Sequence, residues 1–255
     1  MLTGLLTDLV ALLGETGVRI ALAIAVVGGL LRGFSGFGGA LVYMPVAAAA
    51  LGPAAASASL LLFDGVGTLP LLLKAMRRAN FPVVLPLAIG SACLIPAGAW
   101  MLTHVDPVPV RWTISVIIFL AVGALASGLT WPGPTRLPVS LGVGALAGFM
   151  GGLAQVSGPP VVLYLLGRLR PAEETRANLF VFFALNTITT FVAYLVAGLF
   201  TPRVLLISLL IGPVYMLGLL AGSRLFGLAS DTVHRRVAFV LILGAGIAGM
   251  PVWGG

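Results

Sequence analysis

The sequence predicts an all-α polytopic membrane protein made of two inverted repeats, each with one broken, re-entrant helical segment and three membrane-spanning helices. Three observations predict it. Hydrophobic residues make up 60% of the chain, mean hydropathy is +1.15 and only 8% of residues are charged. A soluble chain of 255 residues could not bury that much apolar surface. Eight apolar segments recur along the whole length, joined by short connections. Finally, two glycine-broken stretches repeat each other: Ser35-Gly36 falls on Ser157-Gly158 (157 − 35 = 122), and the same offset puts Gly29 on Gly151, Asp64 on Asn186 and Gly90 on Gly212.

Taken in chain order, residues 1–17, with Leu2, Leu5, Leu6, Leu9 and Leu13 beside Asp8 and Glu15, read as a short interfacial helix. The first repeat, 18–131, holds segments 18–51 (broken near 32–39), 54–73, 82–103 and 110–131. The duplication divides the chain at 132–137, within Pro132-Gly-Pro-Thr-Arg136. The second repeat, 138–255, holds segments 138–167 (broken near 155–160), 177–199, 203–226 and 235–253. All eight belong to one transmembrane domain.

Segment 18–51 would be ~50 Å long as one helix, against a hydrocarbon core of about 30 Å. Positive charges test whether it and its counterpart turn back. If all eight segments cross, six basic residues lie on the cytoplasmic side and seven outside. If the two broken segments are hairpins, ten (Lys74, Arg77, Arg78, Arg136, Arg168, Arg170, Arg176, Arg224, Arg235, Arg236) lie inside, and Arg19, Arg111 and Arg203 outside. Cytoplasmic loops carry an excess of Lys and Arg, so the hairpin arrangement is favoured. Three crossings per half then invert one repeat relative to the other, a recurring secondary-transporter plan.

The net charge of +7 follows from these loop arginines and does not indicate nucleic acid. A single cysteine, Cys93, excludes an internal disulfide or a Cys-rich metal site. His104 and His234 read as loop residues with no acid or cysteine cluster near them, and no cofactor or metal is expected. Trp100, Trp112, Trp131 and Trp253 fall near segment ends, where aromatic belts belong.

The breaks carry the chemistry. A helix arm stopping inside a membrane exposes unsatisfied N–H groups and a partial positive charge, and glycines let an anion approach them. Gly33, Ser35, Gly36 and Gly38 in the first break, and Gln155, Ser157, Gly158 and Pro159 in the second, are the candidate substrate-binding residues, with Asn186 beside them. Pro159 and Pro160 would set the start of the second arm. The alternative for such glycines is tight helix packing, the reading given to Gly144, Gly148 and Gly152 at four-residue spacing. Arg32 and Asp64 are the two ionisable residues expected deep among the spans. Arg32 would hold an anion, and Asp64 would relay a proton or a sodium ion, or simply act as counter-ion of Arg32. Its counterpart Asn186 cannot titrate. Thr187, Thr189 and Thr190 offer neutral oxygens, although such threonines commonly bond their own helix carbonyls. Tyr43 and Tyr164 follow the breaks and would either close the site or pack.

The Gly33-Phe-Ser35-Gly36-Phe-Gly38-Gly39 element followed by Pro45, together with Ser157-Gly158-Pro159-Pro160 leading into an apolar arm, resembles the TauE/SafE sulfite-exporter family over essentially the whole chain. The resemblance implies a multi-pass permease of the bacterial inner membrane for small anions such as sulfite, sulfonates or thiosulfate, commonly in export. The expected function is therefore a secondary transporter working by alternating access at a midplane site between the broken helices. An anion channel would need a continuous polar pore, and an integral-membrane enzyme a convergent catalytic set; these are the competing classes. Expected partners are a small anionic substrate, the lipid bilayer and a coupling proton or sodium ion, with no nucleic acid. The sequence is also compatible with a homo-oligomer.

Overall fold

The computed structural model describes residues 2–35, 38–66, 75–128, 133, 136–166, 172–225 and 231–253. Among them are eleven α-helices and no strand. In chain order these are α1 (Leu2–Gly14), α2 (Thr16–Ser35), α3 (Gly39–Leu51), α4 (Pro53–Val66), α5 (Phe81–His104), α6 (Pro107–Ala126), α7 (Leu137–Ala154), α8 (Gly158–Leu166), α9 (Ala172–Val196), α10 (Pro202–Leu225) and α11 (Asp231–Ala248), with a final 3₁₀ turn Pro251–Trp253. Six of the described helices (α2, α5, α6, α7, α9 and α10) carry stretches long and apolar enough to cross a membrane. The protein is thus an all-α polytopic membrane protein. Residues 67–73 of the 54–73 segment, and Trp131, lie outside the described residues.

Prolines set several starts. α5, α6 and α7 each carry one in their first two positions, where its missing N–H has no ladder partner to lose. Both predicted breaks are real interruptions: α2 ends at Ser35 before α3 begins at Gly39, and α7 ends at Ala154 before α8 begins at Gly158. Each pair doubles back. Gly17, at the start of α2, lies against the Ala50 carbonyl near the end of α3, and Gly28 lies against Gly39 and Tyr43. In the second half the Ser140 hydroxyl, near the start of α7, is hydrogen-bonded to the Tyr164 hydroxyl near the end of α8.

The two halves share one packing plan. α5 packs most extensively on α7, and α2 on α10; these pairs exchange under the repeat correspondence α2–α7, α5–α10. α4 against α10 likewise answers α9 against α5, and α3 against α11 answers α8 against α6. Glycines allow the closest approach in both main pairs. Gly144, Gly148 and Gly152 sit against the Leu87, Ser91 and Ile95 backbone of α5, and a Cβ at Gly98 would come within 2.6 Å of Leu153 N and Phe149 O. Mirroring this, Gly29, Gly33 and Leu30 meet Tyr215, Leu219 and Gly222, and a Cβ at Gly218 would lie 2.7 Å from Val26 O. Small residues take this role in membranes because lipid tails remove the hydrophobic drive for helix association and leave close van der Waals packing.

Ionic contacts mark the two ends of the bundle. Glu15 pairs with Arg203 at the end where α2 and α10 begin. At the other end Arg78 pairs with Glu173 at 2.9 Å, and Asn80 binds Glu174 and Asn178. Arg111 departs from the sequence reading of the basic residues as loop groups. It lies on α6 with only 9% of its surface exposed, and its guanidinium donates to the carbonyls of Gly249 and Met250 at 3.3 and 3.4 Å. It thereby caps the last turn of α11, where a cation meets the negative end of the helix. His234 also departs from its loop assignment, falling within α11. His104 ends α5 as an exposed ring stacked on Trp100.

The packing predicts opposite signs for two alanine substitutions on α7. Gly148→Ala puts a Cβ 2.6 Å from Ser91 Cα and should lower stability by about 1–3 kcal/mol. Gly142→Ala meets nothing within 4 Å and should be neutral or stabilising by up to about 1 kcal/mol. Thermal unfolding of the two variants in detergent checks this.

Candidate functional site

Both broken segments double back, and described residues beside both turns face one space. Between them lies a small cavity of about 60 Å³, a size suited to a solute of a few heavy atoms. Its wall combines Arg32 from the end of α2, Gly38, Ala40 and Leu41 at the start of α3, and Asp64 from α4. The second half contributes Gln155 to Pro159 around the α7–α8 turn, and Phe183, Asn186 and Thr187 from the middle of α9.

The first half brings the charges. Arg32 Nε donates to Asp64 Oδ1 at 3.0 Å, and the Tyr215 hydroxyl of α10 donates to the same oxygen at 2.8 Å. The pair is largely enclosed, with side-chain exposures of 19% and 26%. Phe63, next to Asp64, packs edge-on against Tyr43 and tilted against Tyr215, so aromatic rings fix the position of the acid. α3 opens at Gly38, which adopts φ 100° and provides no side-chain cap. The first ladder bond of α3 is from Val42 N–H to Gly38 O, so the amides of Gly39, Ala40 and Leu41 have no acceptor within the helix.

The second half brings neutral donors. α8 starts Gly158-Pro159-Pro160, and prolines carry no N–H. Two of its first-turn donors are therefore missing, and side chains take their place. Ser157 is buried at the turn and lines the cavity. Ser91 Oγ donates to Asn186 Oδ1 at 2.7 Å, which fixes the amide and leaves its NH₂ as the group on offer. Gln155 occupies φ 57°, ψ 23°, a left-handed conformation that costs a non-glycine residue of order 1–3 kcal/mol and clusters at functional sites. Its side chain is held by Nε2 donating to Tyr194 Oη at 3.2 Å.

Eight of the candidate substrate- and ion-binding residues thus share one cavity: Arg32, Gly38, Asp64, Gln155, Ser157, Gly158, Pro159 and Asn186. Gly33 does not; it packs on the Leu219 and Ser223 backbone of α10, the packing role weighed for such glycines. Ser35 closes α2, and its side chain lies outside the described residues, as does Gly36. Thr187 lines the cavity, whereas Thr189 and Thr190 bond the carbonyls of Leu185 and Asn186. Tyr43 and Tyr164 are buried packing residues.

Four residues were not legible as part of this site. Tyr215 has Cys93 at the offset of 122, so the repeat gave no hint of it. Tyr194 donates to Gly152 O at 2.7 Å and lies 2.6 Å from Ser57 Oγ. With Gln155 it joins α4, α7 and α9 on the side of the cavity nearer the Glu15–Arg203 end. Ser57 and Ser91 are further buried hydroxyls among many apolar neighbours, and only their partners distinguish them. Among the described residues no three His, Cys, Asp or Glu side chains come together as a metal site.

Tyr194→Phe removes the hydroxyl shared by Ser57, Gln155 and Gly152. Leaving those buried groups unsatisfied should cost about 1–3 kcal/mol, read as a lowered unfolding temperature, while Tyr43→Phe, whose hydroxyl has one long contact of 3.5 Å to Ser59, should cost less.

A protein-family model described as Sulfite exporter TauE/SafE matches residues 21–249 of the chain. No curated protein and no solved structure matches it.

Proposed function

The chain belongs to the sulfite exporter TauE/SafE family, and from that premise we propose that it carries small sulfur-containing anions across the bacterial inner membrane by alternating access at the cavity between α2–α3 and α7–α8. The observation that carries this reading is the convergence of both hairpin turns, a part-buried guanidinium and two neutral donors on one small cavity. Irregular backbone at membrane depth is tolerated where it lines a cavity or is covered by protein, and paired breaks in corresponding halves point to a transporter's substrate site.

Each part has a role in anion capture. Arg32 supplies the positive charge and a planar fork suited to two oxygens of a sulfite, sulfonate or thiosulfate. The free amides at the start of α3 and the α8 tip add the positive ends of two short helices. Ser157 and Asn186 set orientation through hydrogen bonds. Tyr194, bonded to Ser57 and Gly152, separates the cavity from the end carrying Glu15 and Arg203, and opening to that side would require those bonds to break.

For a substrate that crosses with net negative charge, electrostatics favours export. Moving one negative charge outward across an inside-negative potential gains about 2.3 kcal/mol per 100 mV, equivalent to a gradient of about 50-fold. Reconstituted into liposomes, the protein should give saturable flux with counterflow of thiosulfate or sulfite, and Arg32→Ala should weaken anion binding about 100-fold or more. Flux that never saturates would favour a channel, and wild-type kinetics in Arg32→Ala would remove Arg32 from the site.

Together with the excess of basic residues at the Arg176 end, the hairpin arrangement supports a cytoplasmic face there. In a Cys93→Ser background, Arg176→Cys should label with impermeant maleimide from the cytoplasm and Thr201→Cys from outside. The reverse pattern, or labelling of both from one face, would overturn this orientation.

A further inference from the structure

We infer that the coupling partner of this site is a proton carried by Asp64, taken up as the anion displaces the Asp64 carboxylate from Arg32. This rests on the reading of the cavity as an anion site and deepens it. Arg32 and Asp64 both line the cavity, and Arg32 Nε holds Asp64 Oδ1 at 3.0 Å. With Asp64 ionised, the pair carries no net charge, so an arriving anion meets a guanidinium already engaged by a carboxylate. If the anion takes the guanidinium, the carboxylate stands beside a second negative charge in a poorly solvated site. Like charges so placed favour protonation of one of them. The proton goes to the Asp64 carboxylate, which becomes a neutral acid and leaves Arg32 with its full charge for the anion.

The groups facing Asp64 favour a proton over sodium. On α2 it meets Arg32, on α10 the Tyr215 hydroxyl, and on α3 Tyr43 stands against the adjacent Phe63. α9 presents the neutral Asn186 and Thr187 at this level, with Glu173, Glu174 and Arg176 at its far end. α5 carries the exposed Cys93 and the terminal His104, α6 carries Arg111 near its start, and α7 has no titratable residue. Sodium wants several oxygen acceptors, as hard cations do. Asp64 Oδ1 instead receives two donors, one of them cationic, and a metal ion there would stand against Arg32. A proton needs only the one carboxylate oxygen.

The consequence is one proton per anion. A monoanion would then cross with no net charge, whereas a dianion such as thiosulfate would still move one negative charge and remain subject to the membrane potential.

The test uses the purified full-length protein with thiosulfate and methanesulfonate, both fully ionised around neutrality. Titration calorimetry in two buffers of different protonation heat counts protons. Wild type should take up about one proton per anion bound, and wherever it does so its affinity should fall about tenfold per unit rise in pH. Asp64→Asn should bind with pH-independent affinity and take up none. Wild-type binding without proton uptake, or affinity that follows sodium concentration, overturns the inference and leaves the anion site standing. Failure of both anions to bind wild type and Asp64→Asn at any pH overturns the inference and the anion-site reading together. If Asp64→Asn does not fold, the wild-type proton count alone decides.

Discussion

A guanidinium in the middle of an apolar bundle constrains everything around it. Arg32 keeps its charge there, so an opposite charge or a set of acceptors must meet it, because the surroundings solvate it poorly. Asp64 from α4 meets that need, and Tyr215 from α10 takes up a further lone pair of the same oxygen. Three helices distant in sequence are thus tied at one point. That point coincides with the wall of the cavity, so the contact that makes the charge tolerable also sets the electrostatics of the site.

Holding that contact in register requires helices that approach each other closely and consistently. The glycine faces of α7 on α5 and of α2 on α10 provide it, since a Cβ at most of these positions would overlap backbone of the partner helix. The two faces are related by the repeat, and so is the doubling-back of each broken segment. Duplication therefore explains why two helix tips face one cavity. It does not explain the chemistry there, because the halves have diverged. The first offers a charged pair and uncapped amides. The second offers Ser157, Asn186 and a strained Gln155, with prolines removing amides that α3 retains. An asymmetric site of this kind can orient a solute that a symmetric one could only enclose.

Legibility followed the physics of each signal. Composition and hydropathy report burial in lipid, which depends on the chain locally, so the helical fold and the positions of the breaks could be read from residue order. Gly144, Gly148 and Gly152 were readable as a packing face because their spacing matches one helix surface. Gly33 was harder. Glycine serves both close packing and anion approach, and only the position of α10 separates the two at residue 33. Arg111 was read as a loop cation because it falls near a segment end. What decides its role is the C-terminus of α11, 138 residues away in the chain.

The sequence by itself determined that this is a polytopic helical membrane protein, that its apolar segments are interrupted at two glycine-rich stretches, and that Arg32 and Asp64 lie where charges are rare. Apolar runs, glycine breaks and charge counts are local properties, and they survive without coordinates. Charge counts already favoured hairpins; only the tertiary structure brought both turns to one cavity, joined Arg32 to Asp64, and set Tyr215, Tyr194, Ser57 and Ser91 around them. Those residues are ordinary until a partner from another helix reaches them, and the pairing of surfaces far apart in the chain carries no signature in either surface alone.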